Sequence, residues 1–177
     1  MSAGWRLSTS EFPHDAGAKS PFPKKGRSLF RCCDMNGSPA LPGKAGEPFI
    51  SQHLKRLRPF LGKGDFAPAS WGNSLIDSLQ PADITVEKVA YSAFYQTRME
   101  YSLSKAGIKT LFICGIVTNG GVASTVRDAH VRDFHTITLE DGCAAFSQET
   151  HKLAIQSLET VGEVMKIQDA ISLINGN

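Results

Sequence analysis

Three places in the 177-residue sequence carry groups able to do chemistry. The first is Lys88, which ends the strand expected at 84–88 and precedes Ser92-Ala93-Phe94. An ammonium at the carboxyl end of a strand, drawn out of water, binds an anionic group or shifts its pKa. A solvated strand-end lysine is an equal reading. The second is Val117-Thr118-Asn119-Gly120-Gly121, a polar turn between the apolar run Thr110–Ile116 and a helical pattern. The first turn of a helix offers unpaired N–H groups and the positive end of the dipole. Gly120 and Gly121 let the backbone approach a ligand closely. Taken alone, the turn is more simply a plain βα connection that needs glycine for its dihedrals. The third is Asp34, just after the apolar piece 28–33. That piece is either part of an irregular arm or a short strand ending at a carboxylate. Arg31 would sit badly in a central strand.

The elements that must position these groups are read from periodicity. Residues 1–46 are rich in Pro, Gly, Ser and Lys and form an irregular N-terminal segment; residues 47–177 form one domain. Residues 49–58 suit a short helix stopped by Pro59. Residues 62–72 are a loop by composition, and 73–79 a helical turn with Leu75, Ile76 and Leu79 inward. From there strands and helices alternate. Strands are expected at 84–88, 110–116, 135–139 and 163–167. Helices are expected at 97–106, with Gly107 as its stop, and at 122–133. A third is capped by Ser147, with Leu153, Ala154, Leu158 and Val161 on its inner face. A last short helix is capped by Asp169. Val122, Val126 and Ala129 recur at helical spacing, with Ser124, Arg127 and Asp128 on other faces. Repeated βα units give an α/β fold, an open parallel sheet with helices on both faces. In such folds ligands bind at the carboxyl ends of the strands, where Lys88 and the 117–121 turn both fall. Leu111, Ile113 and Leu158 are expected in the core.

The composition is that of a globular chain, 41% apolar and 20% charged, with a net charge of +2. That charge favours neither nucleic acid nor membrane as a partner. No apolar run approaches the ~18–20 residues needed to span a bilayer, and no signal-peptide core opens the chain, so the cytoplasm is expected. Cys32, Cys33, Cys114 and Cys143 lack metal-ligand spacing and a dense disulfide pattern. No metal and no cofactor are expected. Cys114 is read as a buried packing residue.

Two stretches resemble one family. Lys88 followed by Ser92-Ala93-Phe94 and Thr97, and Gly115-Ile-Val-Thr-Asn-Gly-Gly-Val-Ala-Ser-Thr-Val-Arg-Asp-Ala129, are similar to the paired motifs of the isochorismatase-like (cysteine) hydrolases. Asp65-Phe66 and Leu79-Gln80-Pro81 fit the same lead-in. The resemblance implies a Rossmann-like fold, a small-molecule substrate, a homo-oligomer and an Asp-Lys-Cys triad. Lys88 matches the lysine and Asp34, in Asp34-Met35-Asn36, the aspartate. The nucleophile position falls on Gly121. The resemblance also implies a cis peptide at Ile116–Val117, an oxyanion hole from the N–H groups of Val117 and Gly121, and substrate contacts at Val117, Thr118, Asn119 and Phe94.

Glycine cannot form a thioester, so covalent catalysis is closed at position 121. Cys143, after the third strand, is the remaining and weaker nucleophile candidate. True isochorismatases resemble this chain in having glycine there, but Thr118-Asn119 is closer to the amidase branch. Between Asp34 and Lys88 the chain also lacks the helix and strand that the family pattern places there. Two readings follow. One is a hydrolase of an amide C–N or vinyl-ether bond without covalent catalysis, using general acid–base chemistry. The other is an inactive relative that binds or fills an oligomer.

Overall fold

The middle strand of the sheet is buried on both faces, and that fact organises the rest. The computed structural model describes residues 51–57, 59, 84–88 and 90–175. Within them β1 is Thr110–Ile116, β2 His135–Ala144 and β3 Glu163–Met165, hydrogen-bonded in the order β1-β2-β3. Both pairings are parallel, with Ile113 opposite Thr138 and Thr138 opposite Val164. Successive strand residues point to opposite faces. Thr136, Ile137 and Thr138 are nonetheless all buried, so both faces of β2 are covered, as a parallel α/β sheet requires.

The helices are α1 (Gln52–Leu57), α2 (Met99–Lys105), α3 (Ala123–His130), α4 (Gln148–Leu158) and α5 (Ile167–Asn175). One core cluster gathers Val86, Ala93, Phe94, Met99, Leu103, Leu111 and Ala129. A second joins α3 to α4 through Val122, Ala123, Val126 and Leu158. Ile113, half-buried, packs against both. Val122, Val126 and Ala129 therefore face inward as their spacing predicts.

Both helices flanking β1 end in the same way. At α2, Gly107 is left-handed at φ 68°, its N–H reaching Ser104 O and that of Ile108 reaching Leu103 O. At α3, Asp133 takes that role at φ 61°, with Asp133 N–H on His130 O and Phe134 N–H on Ala129 O. This is the Schellman arrangement, in which a residue of positive φ lets the chain satisfy the last free carbonyls.

Several expectations are corrected. Residues 84–88 form no strand among the described residues, although Val86 and Lys88 are buried and Thr85 and Glu87 exposed. The alternation is strand-like, but no ladder bonds accompany it. The helix expected from residue 97 begins at Met99, because the Thr97 hydroxyl accepts the Met99 N–H at 3.1 Å ahead of it. β2 runs to Ala144 rather than 139. It passes an irregularity in the pairing between Ile113 and Gly115, after which Gly115 lies opposite Cys143. Gly142 makes this possible, since a Cβ there would lie 3.0 Å from the Cys114 Cβ.

β3 stops at Met165 because Ile167 already opens α5. The Ile167 N–H is taken by Asp141 Oδ1 at 2.8 Å, so Asp141, not Asp169, serves that helix end. On α4, Ser147 caps as expected, accepting the Thr150 N–H at 3.1 Å. Leu153 is exposed, however, and Ile155 takes the inner position. Cys114 is exposed rather than packed, because β1 pairs on one side only among the described residues. The helical turn at 73–79, the loop before it and Asp34 lie outside the described residues.

Candidate functional site

The turn after β1 is wide. The Ile116–Val117 peptide is cis, at the bond the family resemblance singles out. Thr118–Val122 then makes a single π-type turn that runs into α3. The Val117 carbonyl accepts the N–H groups of Gly120 (3.0 Å) and Val122 (3.4 Å); the Gly121 N–H is not among its donors. Thr118, Gly120 and Gly121 are buried, and Asn119 is exposed. Gly120 is favoured for a steric reason. A Cβ there would come within 2.9 Å of Val117 Cγ2 and 3.5 Å of Tyr91 Cε1.

Tyr91 lies within the Lys88–Thr97 motif, so the two motifs meet at this turn. A further bond ties them together: the Ala93 N–H donates to Thr125 Oγ1 at 3.0 Å, one helical turn beyond Gly121. Within the motif, Ser92 Oγ accepts the Phe94 N–H at 3.1 Å. Lys88, three residues before Tyr91, is only 2% exposed and is engaged by its surroundings. Buried charges in proteins are held by partners in this way.

The predicted site residues thus separate into groups. Lys88, Val117 and Gly121 lie in the two segments that converge. The Phe94 side chain is in the core, its ring 5.7 Å from that of Phe134 and covered by the Arg132 guanidinium at 5.0 Å. Arg132 is held there by Glu100 at 2.8 Å. The Thr118 hydroxyl, wholly buried, shares a 2.9 Å hydrogen bond with His151 Nδ1 on α4.

His151 escaped the sequence reading, although a signal was present. Residues 151, 155 and 158 fall at i, i+4 and i+7, which places a histidine on the apolar stripe of α4. Asp141 carried no such signal, because its partner lies 26 residues away.

At the carboxyl end of β2 lies an open cavity of about 790 Å³. Asp141, Cys143, Ser147, His151, Lys152 and Lys166 are among the residues lining it. The Cys143 thiol is pushed up to about 12, first by burial and then by Cys114 and Asp141, with the Gly115 N–H opposing. A thiol that stays protonated at neutral pH is a poor nucleophile.

Comparison with known proteins adds the following. A family model described as the isochorismatase domain matches residues 41–169. Asp34 lies ahead of the matched region. Ureidoacrylate amidohydrolase RutB of Acinetobacter baylyi is 35% identical over 143 residues, covering 76% of this chain and 58% of the relative. The chain spans about half the length of the curated relatives it matches. Among solved structures, an isochorismatase-like hydrolase from Alkaliphilus metalliredigens superposes with a TM-score of 0.58 at 31% identity, covering 60% of this chain and 64% of that one. A cysteine hydrolase from Pseudomonas syringae pv. phaseolicola does so with 0.64 at 25% identity, covering 71% and 65%. These likenesses agree with the α/β fold read from the sequence.

Proposed function

The chain belongs to the isochorismatase family, and from that premise we propose that it hydrolyses an amide or ureido C–N bond in a small molecule without a cysteine nucleophile. The observation that carries this reading is the convergence of the two motifs. The turn 117–121 is held against the 88–94 segment through Thr125 and Ala93, with Lys88 buried at its start. The names of the relatives, ureidoacrylate amidohydrolases, favour the amide over the vinyl ether, as does Thr118-Asn119.

In this reading water replaces the thiol. A carboxylate takes a proton from water as its oxygen adds to the carbonyl carbon. The carbonyl electron pair moves onto oxygen and is received by the N–H groups of Val117 and Gly121. As the C–N bond breaks, the proton passes to the leaving nitrogen. Lys88 stabilises the negative charge. The carboxylate role is assigned to Asp34 by the sequence resemblance alone.

The test is ammonia or amine release by the full chain from ureidoacrylate, N-carbamoyl amino acids and nicotinamide. Lys88→Met and Asp34→Asn are each expected to cost about 10²-fold or more. No release above background from any of the three would end the hydrolase reading. A second reading has its own observation, the glycine at position 121. A family member that binds such compounds without turning them over would give calorimetric binding in the same panel and no product.

A further inference from the structure

We infer that His151 is a positioning residue for the turn that carries position 121, acting through Thr118; the inference rests on reading that turn as the family's nucleophile site. The turn is widened, with the Val117 carbonyl reaching Val122 rather than Gly121. Its first residue, Thr118, has a fully buried side chain. A β-branched side chain has few rotamers, and a buried hydroxyl needs a partner. His151 Nδ1 supplies it at 2.9 Å, so the direction of the peptide groups after Thr118 is tied to α4.

That helix is itself well anchored. Ile155 and Leu158 are buried below His151, and Ser147 caps the turn above it. His151 also lines the open cavity at the carboxyl end of β2. A histidine that merely fills the core would hold α4 in place without setting the direction of the N–H groups in the turn.

The test uses the full chain carrying Gly121→Cys, which converts position 121 into a reporter. The apparent pKa of its thiol is read from the pH dependence of iodoacetamide alkylation, followed at that position by peptide mass spectrometry. N–H groups aimed at a thiolate hold its pKa below the free value of about 8.5. Adding His151→Leu is expected to move it back up by about one unit, a tenfold change in thiolate at neutral pH. His151→Asn keeps a hydrogen-bonding atom near the δ position and is expected to restore the low value. Thr118→Val removes the same bond at nearly constant volume, so it should match His151→Leu, and the two together should add nothing further.

A depressed thiol that His151→Leu and Thr118→Val leave unchanged would overturn the inference while leaving the nucleophile-site reading intact. An ordinary thiol in Gly121→Cys alone would sink that reading instead. Amide hydrogen exchange in the otherwise wild-type chain then decides the clamp. His151→Leu should speed exchange across 118–122 about tenfold with β2 unaltered, as expected for a local opening. Unchanged exchange across the turn overturns the inference in that case.

Discussion

Thr138 and Thr136 occupy the same central strand, point to the same side of it and are both buried. Yet only Thr136 has a use for its hydroxyl, which donates to Val161 O at 3.1 Å. Thr138 Oγ1 has no partner among the described residues. A buried hydroxyl without a hydrogen bond costs about 1–3 kcal/mol of desolvation that nothing offsets. Valine has nearly the same shape and an equal liking for strands, so Thr138→Val removes the cost and leaves the packing against Ile113 and Val164 in place. We expect a gain of about 1 kcal/mol, which in a domain of this size raises Tm by roughly 2–4 °C. Thr136→Val, the same chemical change two residues away, should lose about 1 kcal/mol because it strands the Val161 carbonyl. Urea unfolding of the two variants beside the parent measures both, with unchanged m-values showing that the shifts are in stability alone. The opposite signs are the prediction. A destabilised Thr138→Val would mean that an ordered water already serves the hydroxyl, and the reasoning would be wrong.

Two other expectations follow from local geometry. Asp133 holds a left-handed conformation at φ 61°, a region where glycine carries no Cβ penalty. Asp133→Gly should therefore be neutral to stabilising by up to about 1 kcal/mol, and a loss beyond that range in the same urea assay would contradict the capping role. For Cys143 the sign follows from its raised pKa of about 12. Below the ordinary thiol value near 8.5 both folded and unfolded chains keep the proton, and the contribution to stability is complete. Between that value and about 12 only the unfolded chain loses the proton, so stability falls as pH rises. Urea midpoints from pH 8 to 10.5 should decline less steeply in Cys143→Ala than in the parent; parallel declines would count against the burial of that thiol.

Most of the architecture was legible because it depends on short-range rules. β1, the buried face of α3, the Gly107 stop and the Ser147 cap each follow from a few neighbouring residues. The errors arose where distant parts of the chain decide. The end of β3 depends on Asp141, whose carboxylate opens α5 from another strand. The length of β2 depends on Gly142 fitting against Cys114. Leu153 and Ile155 differ by a rotation about the α4 axis that only the packing against α3 and the sheet selects. The site shows the same division. The motifs announce Lys88 and the 117–121 turn, but the Thr118–His151 bond joins residues 33 apart. Nothing local to Thr118 points to α4.

On the proposed reading, the glycine at position 121 lacks only the CH2–SH of a cysteine, in a turn whose surroundings are tightly specified. Four hydrogen bonds fix the turn and its neighbour: two onto the Val117 carbonyl, one between Thr118 and His151 and one from Ala93 to Thr125. A Cβ at Gly120 would crowd Val117 Cγ2 at 2.9 Å. A thiol attacks only from position 121, whereas a group that receives negative charge needs the orientation of the backbone N–H groups, which glycine supplies as well as cysteine. On the proposed reading of position 121 as the nucleophile site, the loss therefore falls on covalent catalysis and spares electrostatic stabilisation. The two functional readings would share that receptor for a carbonyl or carboxylate oxygen. They part at the carboxylate: a hydrolase needs one to move protons to and from water, and a binding protein does not.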